Sequence, residues 1–338
     1  MLTENCFYNY ISSFPKLTQG YFSSLNADVY KKIPLKDLVS FRIGGPAKYF
    51  IVPKDTKSIQ EALKTAQEKK INSLVLGHGS NLLFESSGYD GLIIYAGLAS
   101  TESIQIIKES ASSMILKVPA AISKHKLLKY SIEHHLSGLE FSAGIPGCLG
   151  GAVYMNAGTK WGSYSECIEF VEFYHPDKGF YEVKNAELAF KYRGLGEKVF
   201  SKGTVVLSLQ IKLTKEKNNH AITKKVDKIL CYRGEKQPLE LPNCGSVFKN
   251  PENSKKGAGR LIEASKLKGF KVGGAMISEK HANFILNTGS ASSDDVKKLC
   301  EHIQKRIFQE HAIELERELI YVCDLNKKKD EPLGAQPL

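Results

Sequence analysis

A chain of 338 residues, 42% hydrophobic and 25% charged with no low-complexity block, is globular, and it exceeds the ~250–300 residues at which single cores stop growing, so two or three domains are expected. The net charge of +11 suits phosphorylated small molecules, nucleic acid or a membrane surface, but the cations are scattered and their densest cluster is Lys327, Lys328 and Lys329 near the chain end, so a solvated basic surface is expected and nucleic-acid binding is not. Seven cysteines without a C-x-x-C pair argue against a disulfide framework or a zinc site and fit a reducing cytoplasm, while no apolar run approaches the ~18 residues of a membrane span.

Residues 1–30 are rich in Asn, Ser and Tyr without a clear period and read as a peripheral extension with one short helix. Asp55 or Thr56 caps a helix carrying Ile59, Leu63 and Ala66 on one face. Residues 73–76 read as a strand that runs into the turn Gly77-His78-Gly79-Ser80-Asn81. Strands follow at 92–95 and 113–118, and Ser123 caps a helix through His135 with Leu127, Leu128, Tyr130 and Ile132 available for packing. The stretch 138–158 is dominated by Gly and Ala. Residues 168–174 and 180–183 form a hairpin around Pro176-Asp177-Lys178-Gly179, and 204–213 is a strong strand. The polar run 215–219 is the candidate domain boundary. Beyond it are expected a helix to about Arg233, a Pro- and Gly-rich loop to Pro251, a helix near 259–265, a strand near 283–286, a helix from Ser292 or Ser293 to His311, and a final strand at 318–323. This irregular mixture predicts an α+β fold and shows no internal repeat.

Three glycine segments stand out. They are Ser40-Phe41-Arg42-Ile43-Gly44-Gly45-Pro46-Ala47, then Gly77-His78-Gly79-Ser80-Asn81-Leu82-Leu83, then residues 144–158, which read G-I-P-G-C-L-G-G-A-V-Y-M-N-A-G. Glycine lets backbone N–H groups turn inward into nests that bind phosphate oxygens, and it lets the backbone approach a flat ring. Taken singly each is a tight turn. The second is not a dinucleotide fingerprint, because Leu82 stands where the third glycine belongs.

Together these segments resemble the flavin cradle of the vanillyl-alcohol-oxidase (PCMH) type of FAD-binding fold. More narrowly, with N-C-G-S-V-F-K-N-P at 243–251, they resemble the UDP-N-acetylenolpyruvoylglucosamine reductase family over about residues 33–323. The resemblance implies noncovalent FAD, NADPH as hydride donor, and reduction of UDP-N-acetylglucosamine enolpyruvate to UDP-N-acetylmuramate for peptidoglycan synthesis. With the composition of the two chain ends, it divides the chain into an N-terminal extension 1–30, an FAD domain 31–214 split near 95, a C-terminal α+β substrate-binding domain 215–325 and a flexible tail 326–338. It assigns to FAD residues Arg42, Ile43, Gly44 and Gly45 of the first loop and Gly77, Gly79, Ser80, Asn81 and Leu82 of the second. From the third it takes Gly144, Ile145, Pro146, Gly147, Gly150, Gly151, Ala152, Asn156, Ala157 and Gly158. Some enzymes of this fold attach FAD to a first-loop histidine; none is present here, and His78 is expected to be a bystander.

Ser246 alone would be a turn former, and no His–Asp partnership suggests a serine hydrolase. The resemblance makes it the proton donor. It likewise assigns catalysis to Arg193, in Phe190-Lys191-Tyr192-Arg193, and to Glu318, in Leu315-Glu316-Arg317-Glu318. Glu314, Glu316 and Glu318 alternate and could share one strand face. A guanidinium suits the enolpyruvyl carboxylate, where charge grows during hydride addition, and a held hydroxyl could protonate the resulting enolate. Arg233 and Lys236 are expected to face the UDP diphosphate, with Lys249, Asn250 and residues 278–283 near the substrate. Leu195 departs from the serine usual two positions after the arginine, and the short path from Arg193 to 204 matches the type without a tyrosine-bearing closing loop. Two other readings stay open: a flavoprotein oxidase or dehydrogenase with another substrate, and a nonenzymatic nucleotide-sugar-binding protein. A monomer, free of membrane and nucleic acid, is expected.

Overall fold

The computed structural model describes residues 4–98, 103–196, 199–201 and 203–327. Most of the expected tail 326–338, with Lys328 and Lys329, lies outside the described residues.

The first unit begins with α1 (Glu4–Ser12), β1 (Ala27–Tyr30), β2 (Ile33–Pro34) and β3 (Pro46–Pro53). It continues with α2 (Thr56–Glu68), β4 (Ser73–Leu76), β5 (Leu82–Leu83) and β6 (Tyr89–Tyr95). One sheet has the order β1-β3-β6-β4, with β3, β6 and β4 parallel and with β1 and β2 antiparallel to β3. Asp55 caps α2 by accepting from the Ser58 N–H at 2.7 Å, and Ile59, Ala62, Leu63 and Ala66 form its buried face. The chain's start is not peripheral. Phe7 and Ile11, one helical turn apart on α1, are each 2% exposed, and Phe7 stacks on Tyr95 at 4.5 Å. In a nine-residue helix where Cys6, Tyr8 and Tyr10 crowd around them, Phe7 and Ile11 leave too faint a period to read, and β1 is strand only because β3 offers it an edge.

The second unit holds β7 (Gln105–Glu109), β8 (Ser113–Pro119), α3 (Lys124–Glu133), β9 (Leu136–Ser137) and α4 (Leu149–Tyr154). It goes on through β10 (Gly158–Thr159), β11 (Gly162–Ser163), β12 (Ile168–His175), β13 (Gly179–Lys184), α5 (Asn185–Leu188) and β14 (Val205–Lys215). The antiparallel order is β13-β12-β14-β8-β7, with β9 beside β14. Leu116, Val118, Leu127, Leu149, Val171 and Ile211 fill its core. The next helix, α6 (His220–Lys236), adds Ile222, Val226 and Ile229 to this same core, although it follows the polar run at 215–219.

The last stretch comprises α7 (Ala258–Ala264), the antiparallel meander β15 (Lys271–Val272), β16 (Ala275–Ile277) and β17 (Ile285–Asn287), then α8 (Ser293–His311), β18 (Ile320–Tyr321) and α9 (Val322–Lys327). Ser292 caps α8 in a capping box with Asp295. Phe41, Ile43 and Leu83 from the N-terminal part enter this core. The expected strand 318–323 shrinks to Ile320–Tyr321, because its partner β5 is only two residues long; the chain then turns into α9. The expected strand 283–286 starts later, at Ile285, because Asn283 spends its backbone and side chain on the 247–248 loop.

Candidate active site

A cavity of about 660 Å³ opens where the three units meet. The second and third glycine loops supply one part of its wall: Gly77, Gly79, Ser80, Asn81, Leu82, then Ile145, Pro146, Gly147, Gly150, Gly151, Ala157 and Gly158. Arg193, Ser246 and Glu318 supply another, with Arg233, Lys236 and Asn250. Residues far apart in sequence, singled out for one chemistry, therefore face one space.

Gly79 turns the second loop with φ +57°. On the third loop, a Cβ at Gly151 would meet nothing nearer than the Cys148 Sγ at 4.0 Å, so that stretch of wall is bare backbone that a flat ring could approach. Inward turns and an open glycine face are what a flavin nucleotide requires, and the two loops fit it.

The first loop does not reach the cavity wall. Ile43 is buried in the third core. Glycine at 44 and 45 is needed for packing, since a Cβ would fall 2.9 Å from the Phe84 Cβ and 2.4 Å from the Ser86 carbonyl. Arg42, with φ +53°, belongs to the same supporting turn, whose Phe41 and Arg42 carbonyls accept from Asn287 at 3.1 and 3.3 Å. Gly144, Ala152 and Asn156 also stand behind the wall. Ala152 is core, and the Gly144 carbonyl accepts from Arg233 Nη2 at 3.0 Å. Asn156 donates to the Lys191 carbonyl at 3.1 Å and accepts from the Ser165 N–H at 3.3 Å, so it fixes the turn that carries Arg193.

That turn closes through Lys191 N–H to the Gly194 carbonyl, 2.9 Å, and Gly194 N–H to the Lys191 carbonyl, 3.3 Å. Arg193 sits in it at φ +57°, a left-handed backbone that a side chain adopts only under constraint. Leu195, where a serine was usual, is buried in the second core and anchors the turn's far side. The Arg193 guanidinium lies over the Tyr192 ring at 4.9 Å, and its Nε is 2.8 Å from Glu318 Oε1. The N–H is not aimed along that contact, so the pair is an ion contact rather than an aligned hydrogen bond. Burial raises the Glu318 pKa, against the opposing pull of Arg193. Glu316 lies outside, paired with Lys249, and Glu314 is exposed, so the three glutamates do not share a face.

Gly245, at φ +83°, opens the serine loop, and its N–H donates to Asn243 Oδ1 at 3.0 Å. Past Ser246 the loop is clamped by Asn283, which is 4% exposed. Asn283 Oδ1 accepts from the Phe248 N–H at 3.0 Å, its Nδ2 donates to the Phe248 carbonyl at 2.8 Å, and its carbonyl accepts from the Val247 N–H at 2.9 Å. The Val247 carbonyl in turn accepts from the Glu318 N–H at 2.8 Å. Asn250 holds the loop's end by accepting from the Ala258 N–H at 3.0 Å and donating to the Tyr192 hydroxyl at 3.3 Å. Lys249, expected near substrate, pairs with Glu316 and lies close enough to Glu318 to oppose the rise of its pKa.

Sequence reasoning missed Lys124 and Cys148, both on the wall. The readable signal was a lysine in the first turn after the capping Ser123, where a helix disfavours positive charge.

Residues 237–322 match the family described as UDP-N-acetylenolpyruvoylglucosamine reductase, C-terminal domain, and residues 47–180 match an FAD binding domain. A UDP-N-acetylenolpyruvoylglucosamine reductase of Caldicellulosiruptor bescii is 36% identical over 318 residues, covering 94% of this chain and 98% of that one. The chain belongs to the UDP-N-acetylenolpyruvoylglucosamine reductase family. A relative of that name from Listeria monocytogenes is 36% identical over 289 residues, 85% of this chain and 92% of its own. The crystal structure of UDP-N-acetylenolpyruvylglucosamine reductase from Thermus caldophilus matches at a TM-score of 0.71 with 35% identity, over 87% of this chain and 99% of that one. The expected α+β fold with a PCMH-type FAD-binding domain is the fold of this reductase family member.

Proposed function

We propose that the cavity is the active site of an FAD-dependent reductase that uses NADPH to convert UDP-N-acetylglucosamine enolpyruvate to UDP-N-acetylmuramate, a peptidoglycan precursor. The observation that carries this reading is the contact of Arg193 with Glu318, beside the Ser246 loop, on a cavity otherwise walled by two glycine loops. Bound FAD supplies hydride transfer from NADPH to the terminal carbon of the enolpyruvyl double bond. The second loop holds its phosphates through backbone N–H groups, and the third lets the ring lie close. The first loop offers no histidine for attachment, so FAD is held noncovalently.

Arg193 grips the enolpyruvyl carboxylate and stabilises the negative charge that grows there. Glu318, buried beside Arg193, is assigned as a further donor, a role that requires its carboxyl to take up a proton when the substrate carboxylate engages Arg193; burial shifts its pKa in that direction. The Ser246 hydroxyl gives its proton to the carbon bearing the carboxylate. Arg233 and Lys236 meet the UDP diphosphate and Asn250 shapes the mouth. Residues 31–214, with α6 packed into their second core, form the FAD domain, and the chain from 237 to 325 forms the substrate-binding domain. Seven free cysteines suit the cytoplasm, and no helix among the described residues is long and apolar enough to cross a membrane.

The test is to mix the purified yellow protein with NADPH and the enolpyruvyl nucleotide. One NADPH oxidised per nucleotide consumed, with intact FAD released by acid, is the expected result. NADPH oxidation that ignores the nucleotide and yields peroxide would favour the oxidase reading, and colour left on the precipitated protein would end the noncovalent assignment.

A further inference from the structure

Lys124 opens helix α3, and it is 5% exposed. Among the described residues its ammonium has neither a carboxylate partner nor a hydrogen bond. Several effects oppose a cation there. Burial strips its hydration, the positive end of the α3 dipole lies beside it, and Arg233 on α6 adds a like charge. Burial first, then Arg233, pushes its pKa down to about 8, with Cys148 pulling the other way. An isolated protein gains nothing by keeping a lysine in such a place. Methionine or leucine would fill the same volume at no electrostatic cost.

The side chain nevertheless faces the cavity. Its ammonium lies against Gly147: a Cβ there would fall 3.2 Å from Lys124 Nζ and 2.9 Å from Ser80 Oγ. Lys124 and Ser80 thus flank the bare backbone of Gly147, where the second and third loops meet. His78, the basic residue of the second loop, has its pKa lowered by burial and is neutral near pH 7. The turn at 77–81 therefore offers directional N–H donors without a formal charge of its own.

We propose that Lys124 is a cofactor-binding residue whose ammonium neutralises the diphosphate of FAD at the junction of the second and third loops. The proposal rests on the reading that the second loop holds that diphosphate. The ligand removes the cost of the buried cation, and the cation supplies the charge that the backbone nest lacks. A charge-assisted hydrogen bond in such a dry site is stronger than a neutral one.

The experiment compares the full-length chain with Lys124→Met, both freed of flavin by mild acid and refolded. FAD is titrated by quenching of its fluorescence, and riboflavin, which lacks the diphosphate, is titrated alongside. The substitution is expected to weaken FAD binding about 10- to 100-fold, as loss of a hydrogen bond to a charged group does. Riboflavin binding should stay within about threefold, a change too small for loss of such a bond. The melting temperature of the flavin-free variant should equal or exceed the parent's, since a buried cation has gone. Unchanged FAD affinity, an equal loss for FAD and riboflavin, or a flavin-free variant that melts several degrees lower would each overturn the proposal. Equal binding of FAD and riboflavin by the parent would instead reject the second loop as the diphosphate site.

Discussion

Asn81 donates its side-chain amide to the backbone carbonyl of Glu318 at 2.9 Å, so the second glycine loop holds the residue that meets Arg193. The Ile320 N–H returns to the Asn81 carbonyl at 3.2 Å, and the Glu318 N–H passes the connection to Val247, next to Ser246. Three regions separated by as much as 237 residues are thereby tied largely by backbone hydrogen bonds. The spacing between the flavin loop and the proton-donating loop depends little on flexible side chains, as near-attack geometry demands.

Asn283 is the side chain on which that arrangement most depends. In Asn283→Ala the Phe248 N–H and carbonyl lose their partners in a buried setting, so stability should fall by about 2–4 kcal/mol. Turnover should fall more than KM rises, because the loop carrying Ser246 loosens. Urea denaturation and steady-state kinetics measure both. A destabilised variant with normal turnover would show that the clamp serves only the fold.

Arg193 combines a strained backbone with a charge held for the substrate. Arg193→Ala should lower kcat about 10²–10³-fold, as removal of a transition-state donor does, with a smaller effect on nucleotide affinity. Arg193→Lys should not restore it, because a point charge lacks the planar fork. Arg193→Gly should be equally inactive but melt higher than the alanine variant, since glycine relieves φ +57°. Near-normal turnover by any of these would mean that another cation holds the carboxylate.

Burial raises the Glu318 pKa, and the proposed role needs the protonated carboxyl. Below its raised pKa the donor is present; as pH climbs through that value the donor is lost and kcat should decline. Glu318→Gln keeps a donor at every pH, so its profile should be flat where the parent declines, and it should outperform Glu318→Ala. Parallel pH profiles for parent and glutamine variant would assign the decline to a different group.

Much of this was legible because glycine and proline punctuate the chain where backbone must do unusual things. The second and third loops, the serine loop with Gly245, and the capped helices α2, α3 and α8 all carry local signals. What was not legible depends on partners distant in sequence. The first loop's glycines read as cofactor contacts, and nothing in the sequence signals that Gly44 and Gly45 are also needed for packing against Phe84 and Ser86. The chain's start looked loose because Phe7 needs Tyr95 to become core. The final strand was overextended because its length is set by Leu82 and Leu83. Lys124 hid in a helix start, where only the fold reveals that the lysine is buried against the cavity wall.

Ser246 allows the sharpest division between a shaping and a chemical role. The reaction has two halves: NADPH reduces FAD, then reduced FAD reduces the enolpyruvyl group. Ser246 is assigned to the second half alone, as donor of the proton that completes it. The loop's form does not depend on the hydroxyl: Gly245 supplies φ +83°, Asn243 receives the Gly245 N–H, and Asn283 clamps Val247 and Phe248. Ser246→Ala should therefore fold, keep its flavin and bleach with NADPH at a near-normal rate. Without oxygen, reoxidation by the enolpyruvyl nucleotide should slow by at least the ~10²-fold expected from losing a general acid. Rapid-mixing absorbance follows the halves separately. Equal slowing of both would point to a disturbed cavity rather than a lost proton. Reoxidation as fast as the parent's would remove Ser246 from the chemistry and leave a bound water or another wall residue to deliver the proton.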